Sequence, residues 1–278
     1  MESVEMKKIL LTGSTGFIGR NILHIFNYEI STPTRSELNL LDDNAVKQYV
    51  SKGNFDAIVH LAGPTGHNKI DDMLFENSLR VFSSLSNLSS AYGKMIYIGS
   101  GAEYGKHRPI VQIKEESYGE ELPKDNYGLS RFIMNELAEK HSNIVNLRLF
   151  GCHGFSDRPH KLIPSVISQA HETVYMNQDC WFDFLYVKDI APVIMHFIEN
   201  DTKFKSYNLC HGKPILISEI AKEVCRQMGV TPCIKFKQKG LNNEYTASNE
   251  RIKSEIPHWH LTTMEESISE ILKLEGLK

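Results

Sequence analysis

The fold of this chain is decided by the stretch Leu10-Leu11-Thr12-Gly13-Ser14-Thr15-Gly16-Phe17-Ile18-Gly19. The apolar run at 9–11 predicts a short buried strand, and apolar residues recur at helical spacing from 17 to 26. In a glycine turn between a strand and a helix N-terminus, backbone N–H groups point at phosphates, and the missing Cβ atoms let a pyrophosphate approach. The stretch therefore predicts a dinucleotide-binding start, with a plain tight turn as the alternative.

Composition bounds the class of protein. With 41% hydrophobic and 23% charged residues, the 278-residue chain is globular and long enough for a large core. A net charge of −3 and a pI near 6.5 give no electrostatic reason to expect nucleic acid or an anionic membrane as a partner. The five cysteines form no C-x-x-C pair, so we expect reduced thiols and no metal site. The polar N-terminus and the short apolar run after it predict a cytoplasmic protein.

Strand and helix patterns alternate as far as residue 151. Strands are predicted at 28–32, 56–63, 95–99 and 143–150, helices at 43–51, 71–92 and 126–141, and a surface loop at 106–124. Beyond residue 152 the alternation is less regular, with helices predicted at 163–170, 188–198 and 218–228 and a last helix opened by a capping box, Thr263 with Glu266. The prediction is an α/β protein: a Rossmann doubly wound parallel sheet in residues 1–151 and a smaller C-terminal α/β substrate lobe in 152–278, some of whose segments return to the core.

The residues after the second predicted strand indicate which dinucleotide is bound. In such folds an acidic residue there holds the 2′-hydroxyl of NAD. This chain has Arg35 and no acid before Glu37. Because a guanidinium suits a 2′-phosphate, Arg35 favours NADP over NAD, with an ordinary surface arginine as the alternative.

Candidate chemistry lies at the end of the fourth predicted strand and on the helix that follows. Ser100 ends that strand, and open parallel sheets bind ligands beyond the carboxyl ends of their strands. Tyr127 and Arg131 are four residues apart and share one helix face. A phenol with a pKa of about 10 becomes a useful acid only when a nearby cation stabilises its phenolate. Glu103, beside Ser100, is a candidate substrate contact, and an ordinary loop carboxylate is the equal alternative.

Two further polar residues are interpreted as structural. His60 stands at the end of the third predicted strand, away from any other histidine at metal-ligand spacing. Asp189 precedes a predicted helix, and aspartate is a preferred N-cap residue. We therefore expect a buried histidine and a helix cap.

Together the glycine stretch, the Ser100-x-x-x-Tyr104-Gly105 segment and the Tyr127-x-x-x-Arg131 turn resemble the extended short-chain dehydrogenase/reductase family, in its nucleotide-sugar branch. The segment from Asp183 to Asp189 agrees with that resemblance, and 34–42 is similar to NADPH-dependent reductases of 4-keto sugar nucleotides. The resemblance implies that the tyrosine supplies a proton and that the serine binds the reacting sugar oxygen. The cofactor contacts it implies are Gly13, Thr15, Gly16, Phe17, Ile18, Gly19, Arg35, Asn39, Leu40, Leu61, Ala62, Gly63, Tyr127, Arg131 and Phe150.

The chain departs from the family at two places. The family has a lysine where this chain has Arg131, which keeps the charge but cannot relay a proton. Near Asp183 the similar reductases have an arginine for the nucleotide diphosphate, whereas this chain has Trp181 and Phe182. We expect the substrate to be held instead through Arg158 or Lys161, in addition to Ser100 and Glu103.

The function expected from sequence is NADP-dependent reduction of a 4-keto nucleotide-activated sugar, for the supply of deoxysugars to a surface polysaccharide. The hydride would come from NADPH and the proton from Tyr127. A nucleotide-sugar 4-epimerase and a non-catalytic NADP-binding regulatory subunit are the alternatives. The apolar stripe of the 71–92 helix and the family resemblance predict a homodimer, in which helices 71–92 and 126–141 form a four-helix bundle with their two-fold copies.

Overall fold

The computed structural model describes residues 6–63 and 72–278. Within them the strands, in chain order, are β1 (Lys8–Thr12), β2 (Glu29–Ser31), β3 (Ala57–His60), β4 (Lys94–Ser100), β5 (Ile110–Ile113), β6 (Ile144–Leu149), β7 (Gly151–His153), β8 (Val174–Met176), β9 (Trp181–Phe182), β10 (Phe184–Tyr186), β11 (Ser206–Leu209), β12 (Ile215–Leu216), β13 (Ile234–Phe236) and β14 (Tyr245–Ala247). The helices are α1 (Phe17–Ile22), α2 (Asp43–Gly53), α3 (Asp72–Ser86), α4 (Asn126–Ala138), α5 (Leu162–Gln169), α6 (Ile190–Glu199), α7 (Ile217–Gln227), α8 (Glu250–Glu255) and α9 (Met264–Leu274).

The largest sheet is parallel and has six strands in the order β11-β6-β4-β3-β1-β2. Its order runs outward in both directions from the β1–β3 pair, where Ile9 lies opposite Ala57 and Leu10 opposite Ile58. Strand β3 is buried along its whole length, as expected for a strand covered on both faces. The predicted Rossmann doubly wound α/β fold is therefore confirmed.

One face of this sheet carries an apolar core. Leu10 and Tyr97 of the sheet, Phe82 of α3 and Met134 of α4 are among its fully buried members. Helix α3 packs against both α2 and α4. The Asp42 carboxylate caps α2 by accepting the Asn44 and Ala45 N–H groups. This packing fixes α4 beside the sheet edge at which β1, β3 and β4 end.

The chain divides into two compact units. The first comprises the described residues of Met1–His107 together with Glu115–Leu149 and Ala191–Tyr207. The second comprises Arg108–Lys114, Phe150–Ile190 and Asn208–Lys278. Within the second unit, a four-stranded sheet has the order β12-β9-β14-β5, and the remaining strands pair as β10-β7 and β13-β8.

Two predicted elements differ from the structure. Residues 106–124 were expected to be loop, but Ile110–Ile113 forms strand β5 and pairs with β14. Charged residues on both sides of this short apolar stretch make the segment resemble a surface loop in the sequence. The long helix expected at 71–92 ends at Ser86 and continues only as a 3₁₀ turn, Ser89–Ala91, while its expected first residue, Asp71, lies outside the described residues.

The two predicted helix caps have opposite outcomes. The capping box at α9 is confirmed, because Thr263 Oγ1 accepts the Glu266 N–H and Glu266 accepts the Thr263 N–H. The cap assigned to Asp189 is wrong. Its carboxylate accepts both the N–H and the hydroxyl of Thr262, at 2.8 and 2.7 Å, and so anchors a distant segment. No helix among the described residues is long and apolar enough to cross a membrane.

Candidate active site

The glycine turn after β1 is shaped by close backbone contacts. Gly13 has φ of +79°, and a Cβ there would lie 2.6 Å from the Ala62 nitrogen. Gly19 is buried, and a Cβ on it would lie 2.5 Å from the Gly13 carbonyl oxygen. Since any side chain at either position would displace backbone, both glycines are required by the turn. Gly19 therefore packs against the backbone of the turn and is not one of the residues that line the adjacent cavity.

A cavity of about 340 Å³ opens at the carboxyl ends of β1, β2 and β3. Seven of the residues predicted to bind the cofactor line it: Gly13, Thr15, Arg35, Asn39, Leu40, Ala62 and Gly63. Phe17, Ile18 and Gly16 belong to α1 and its start, and Leu61 is half-buried beside the cavity residues. The structure adds residues that the sequence did not indicate, among them Ser14, Leu38, Leu41, Asn77 and Val81.

In the turn after β2, Arg35 is exposed to solvent, whereas the carboxylate of Glu37 is hydrogen-bonded within the turn. Glu37 accepts hydrogen bonds from the Thr34 N–H at 2.7 Å and from the Thr34 hydroxyl at 2.8 Å. The backbone hydrogen bond from Thr34, followed by the hydroxyl bond, lowers the pKa of Glu37. Arg35 lies at the cavity and is solvent-exposed. The charged group presented to a ligand by this turn is therefore cationic.

Ser100 begins a 3₁₀ turn, Gly101–Tyr104, at the end of β4. Its hydroxyl accepts the Ala102 N–H at 3.1 Å, and its own N–H donates to Glu103 Oε1 at 2.9 Å. Glu103 is 0% exposed, and its carboxylate also accepts the Arg148 Nε–H at 2.6 Å. The expectation that Glu103 contacts substrate is therefore wrong, because the carboxylate is enclosed and saturated by protein donors.

Helix α4 brings Tyr127 and Arg131 to this region. At the start of the helix, a Cβ on Gly128 would lie 2.8 Å from the Ala102 carbonyl oxygen, so α4 begins against the turn that Ser100 opens. The Arg131 guanidinium carbon lies 5.1 Å from the centre of the Tyr127 ring. The cation therefore lies against the ring of Tyr127.

Arg131 also reaches the dinucleotide cavity. Its Nη2 would lie 3.0 Å from a Cβ on Gly63, which lines that cavity. The side chain is buried, and among the described residues its Nε has no hydrogen-bond partner. An unpaired buried donor is costly unless a ligand satisfies it. Burial, and then the charge of Arg131, lower the pKa of His60 to about 3, so that histidine is neutral.

These features fit a nicotinamide dinucleotide. The glycine turn leaves room for a pyrophosphate, and the cavity with Arg35 at its edge would hold the adenosine end. Arg131 Nε, which has no partner among the described residues, would donate to a ribose hydroxyl. His60 is structural, as predicted, because it is buried and shares a 2.7 Å hydrogen bond with the Thr12 hydroxyl.

The remaining predicted site residues lie in the second unit. Phe150 is buried with its ring 4.8 Å from that of Tyr245. Arg158 is exposed, and Lys161 is the half-buried N-cap of α5. Asp183, from the family signature, accepts the N–H groups of His211 and Gly212, and burial raises its pKa to about 7. Asp183 therefore stabilises the backbone turn at His211 and Gly212.

Sequence reasoning missed the polar partners behind Ser100. Asn146 and Arg148 stand two apart in a strand that is otherwise apolar, Ile144–Leu149, and both are buried. Their spacing places them on one face of β6. Polar residues on a buried strand face must be paired, and this pattern was the available signal.

Fold and cavity together define a dinucleotide-binding α/β protein whose candidate catalytic side chains follow β4 and begin α4. A model of the NAD dependent epimerase/dehydratase family matches residues 9–210, and this chain belongs to that family. Membership confirms the resemblance drawn from the motifs and supports a nicotinamide cofactor.

The relatives are nucleotide-sugar enzymes. GDP-L-colitose synthase from Yersinia pseudotuberculosis is 28% identical over 253 residues, covering 80% of this chain and 82% of that protein. GDP-L-fucose synthase from Azorhizobium caulinodans is 25% identical over 253 residues, covering 80% and 81%. A GDP-D-glycero-L-gluco-heptose synthase from Campylobacter jejuni, solved in the presence of NADPH, superposes with a TM-score of 0.86 at 16% identity and 100% coverage of both chains. At that identity the structural match bears on the fold alone.

Proposed function

We propose that this chain is an NADP-dependent reductase that converts the 4-keto group of a nucleotide-activated hexose to a hydroxyl. The observation that carries the proposal is the Arg131 guanidinium, stacked 5.1 Å from the Tyr127 ring centre and adjacent to Gly63 of the dinucleotide cavity. One cation is thus shared between the proton donor and the cofactor site.

The preference for NADP is supported by the turn after β2. Arg35 is exposed at the cavity, and Glu37 is bound to Thr34. A 2′-phosphate gains a charge-assisted contact with a guanidinium, whereas the 2′-hydroxyl of NAD lacks the free acid it needs. The cofactor would be held by the Gly13 turn, Arg35 and Arg131, and when bound it supplies the hydride.

Tyr127, Arg131 and Ser100 have separate roles in the proton transfer. The Tyr127 hydroxyl donates a proton to the substrate oxygen, and the Arg131 charge stabilises the phenolate that is left. The Ser100 hydroxyl, oriented by the Ala102 N–H, hydrogen-bonds the same oxygen. Because a guanidinium does not deprotonate, the phenol is reprotonated from solvent, directly or by relay through ligand hydroxyls, and not through residue 131.

The substrate class is proposed from the relatives. Two of them are named for GDP-L-colitose and GDP-L-fucose, which fits deoxysugar supply for a surface polysaccharide. Arg158 and Lys161 of the second unit are the candidate cations for the nucleotide diphosphate. The base is identified by the substrate that is turned over, and the stereochemistry at carbon 4 by the alcohol that is formed from it.

The test is incubation with NADPH and a panel of 4-keto-6-deoxy sugar nucleotides, following NADPH oxidation and the sugar product. Stoichiometric oxidation is expected. Tyr127→Phe should lower kcat roughly 10²–10⁴-fold, since it removes the proton donor. Tyr49→Phe is the matched control, because Tyr49 lies on α2, its ring stacks on that of Phe55, and it is not one of the proposed site residues. This variant should leave kcat unchanged.

Arg131→Lys tests the family departure directly. If charge alone is needed, lysine preserves kcat and moves the alkaline limb of the pH profile; if the guanidinium geometry is needed, kcat falls. Interconversion of two sugar nucleotides without net NADPH oxidation would identify an epimerase instead. NADPH binding with no turnover of any sugar would identify a regulatory subunit.

A further inference from the structure

A buried ion pair stands directly behind Ser100. Glu103 and Arg148 have side chains 0% and 1% exposed, and Arg148 Nε donates to Glu103 Oε2 at 2.6 Å. The other carboxylate oxygen, Oε1, accepts the Ser100 N–H at 2.9 Å. A charged group of the interior therefore bonds the backbone of the residue that would contact the sugar oxygen.

The same network reaches the helix that carries Tyr127. Asn146 Nδ2 donates to Glu103 Oε2 at 3.0 Å and to Asn135 Oδ1 at 2.8 Å. Asn135 lies on α4, one helical turn beyond Arg131. The carboxylate thus connects the Ser100 turn to α4 through a single intervening amide.

A second bridge runs through the partner cation. The Arg148 guanidinium carbon lies 4.4 Å from the ring centre of Tyr118. The Tyr118 hydroxyl donates to the Phe132 carbonyl oxygen of α4 at 3.0 Å. Both members of the ion pair are therefore tied to the Ser100 turn or to α4.

Stability alone does not account for such a pair. The desolvation of two buried charges offsets most of their attraction, and apolar residues of similar volume are commonly as stable. What the pair provides is direction, because each hydrogen bond fixes an angle as well as a distance. Directional anchoring matters where reacting groups must be held within a fraction of an ångström.

We infer that Glu103 is a positioning residue, whose carboxylate, held by Arg148 and Asn146, sets the Ser100 hydroxyl relative to Tyr127 and Arg131. Its effect on turnover rests on the proposed reductase function; its effect on the Ser100 backbone does not. The residue acts through Ser100 and itself contacts neither sugar nor cofactor.

The decisive variant is the double substitution Glu103→Leu/Arg148→Met, which removes both charges together and leaves none uncompensated. We expect a folded protein whose kcat is roughly 10- to 100-fold lower, while KM and the Kd for NADPH stay within about twofold. Glu103→Gln retains an oxygen for the Ser100 N–H and should keep a kcat between the two. Glu223→Gln, which breaks the ion pair between the half-buried Glu223 and the exposed Arg226, is the matched control and should match the native protein.

Hydrogen exchange of the peptide spanning 98–104 gives a readout that needs no substrate. Loss of the acceptor should accelerate exchange there in the double variant at unchanged melting temperature. If the native protein reduces no 4-keto sugar nucleotide, the proposed function fails while exchange still decides the positioning role. Should the double variant not fold, Glu103→Gln is judged by the same two readouts, because its neutral amide oxygen accepts the Ser100 N–H more weakly than the carboxylate does and should accelerate exchange by a smaller factor. In a folded variant, unchanged exchange of 98–104, or unchanged kcat per NADPH-binding molecule, overturns the inference.

Discussion

At the scale of single residues, the proposed preference for NADP over NAD depends on Arg35. Arg35→Ala should weaken NADPH binding roughly 10- to 100-fold and leave NADH binding nearly unchanged, because a hydrogen bond to a charged group contributes about 1.5–3 kcal/mol. Isothermal titration of both cofactors measures the difference. Arg226→Ala, at an exposed site in the other unit, serves as control. Equal affinities for NADPH and NADH in the native protein would refute the assignment.

His60 makes stability depend on pH. Burial, reinforced by the Arg131 charge, lowers its pKa to about 3, against about 6.5 in an unfolded chain. Below pH 6.5 the unfolded chain binds a proton that the folded chain does not, so stability is lost as pH falls. The loss attributable to His60 between pH 7 and pH 5 is about 2 kcal/mol.

His60→Asn should therefore flatten the pH profile by that amount. Urea denaturation at pH 7 and pH 5 gives the free energies of unfolding. The buried Asp183, whose raised pKa of about 7 works in the opposite direction, is present in both proteins and cancels in the difference. His24→Asn, at an exposed histidine, should leave the profile as it is. A profile equally steep with and without His60 would contradict the prediction.

At the scale of elements, the start of α9 depends on its capping box. Thr263 Oγ1 accepts the Glu266 N–H at 3.2 Å, which satisfies a donor that the helix itself cannot. Thr263→Ala should lower the free energy of unfolding by about 1 kcal/mol, with NADPH affinity unchanged. Thr231→Ala, an exposed threonine outside any helix, is the control. Chemical denaturation that shows equal stability for both variants would argue against the cap.

At the scale of the whole molecule, the prediction of a homodimer through α3 and α4 stays to be tested. The two helices pack on each other in the first unit, and apolar side chains such as Ile133 on α4 are only half-buried there. Light scattering should give twice the 31.7 kDa mass of one chain. Ile133→Glu should yield monomers, since a charge in an apolar interface is unpaired. Val111→Glu, at an exposed apolar residue outside these helices, is the control and should leave the dimer intact. A native protein that is monomeric would contradict the proposal.

What the sequence by itself determined about this protein is local in origin. The strand, three glycines and helix of the opening stretch lie within residues 8–22, so their spacing alone specifies the turn that a dinucleotide needs. The capping box and the Tyr127–Arg131 pair are likewise set by helical spacing of three and four residues.

Only the tertiary structure decided the roles that depend on distant partners. Glu103 is bound to Arg148, 45 residues away, and Asp189 to Thr262, 73 residues away, so neither could be read from its neighbours. Strand β5 likewise exists as a strand because β14 pairs with it. The physical reason is that a carboxylate in a turn has the same local sequence whether it faces a ligand or the protein interior. Its role depends on whether folding buries it and which hydrogen-bond donors folding brings to it.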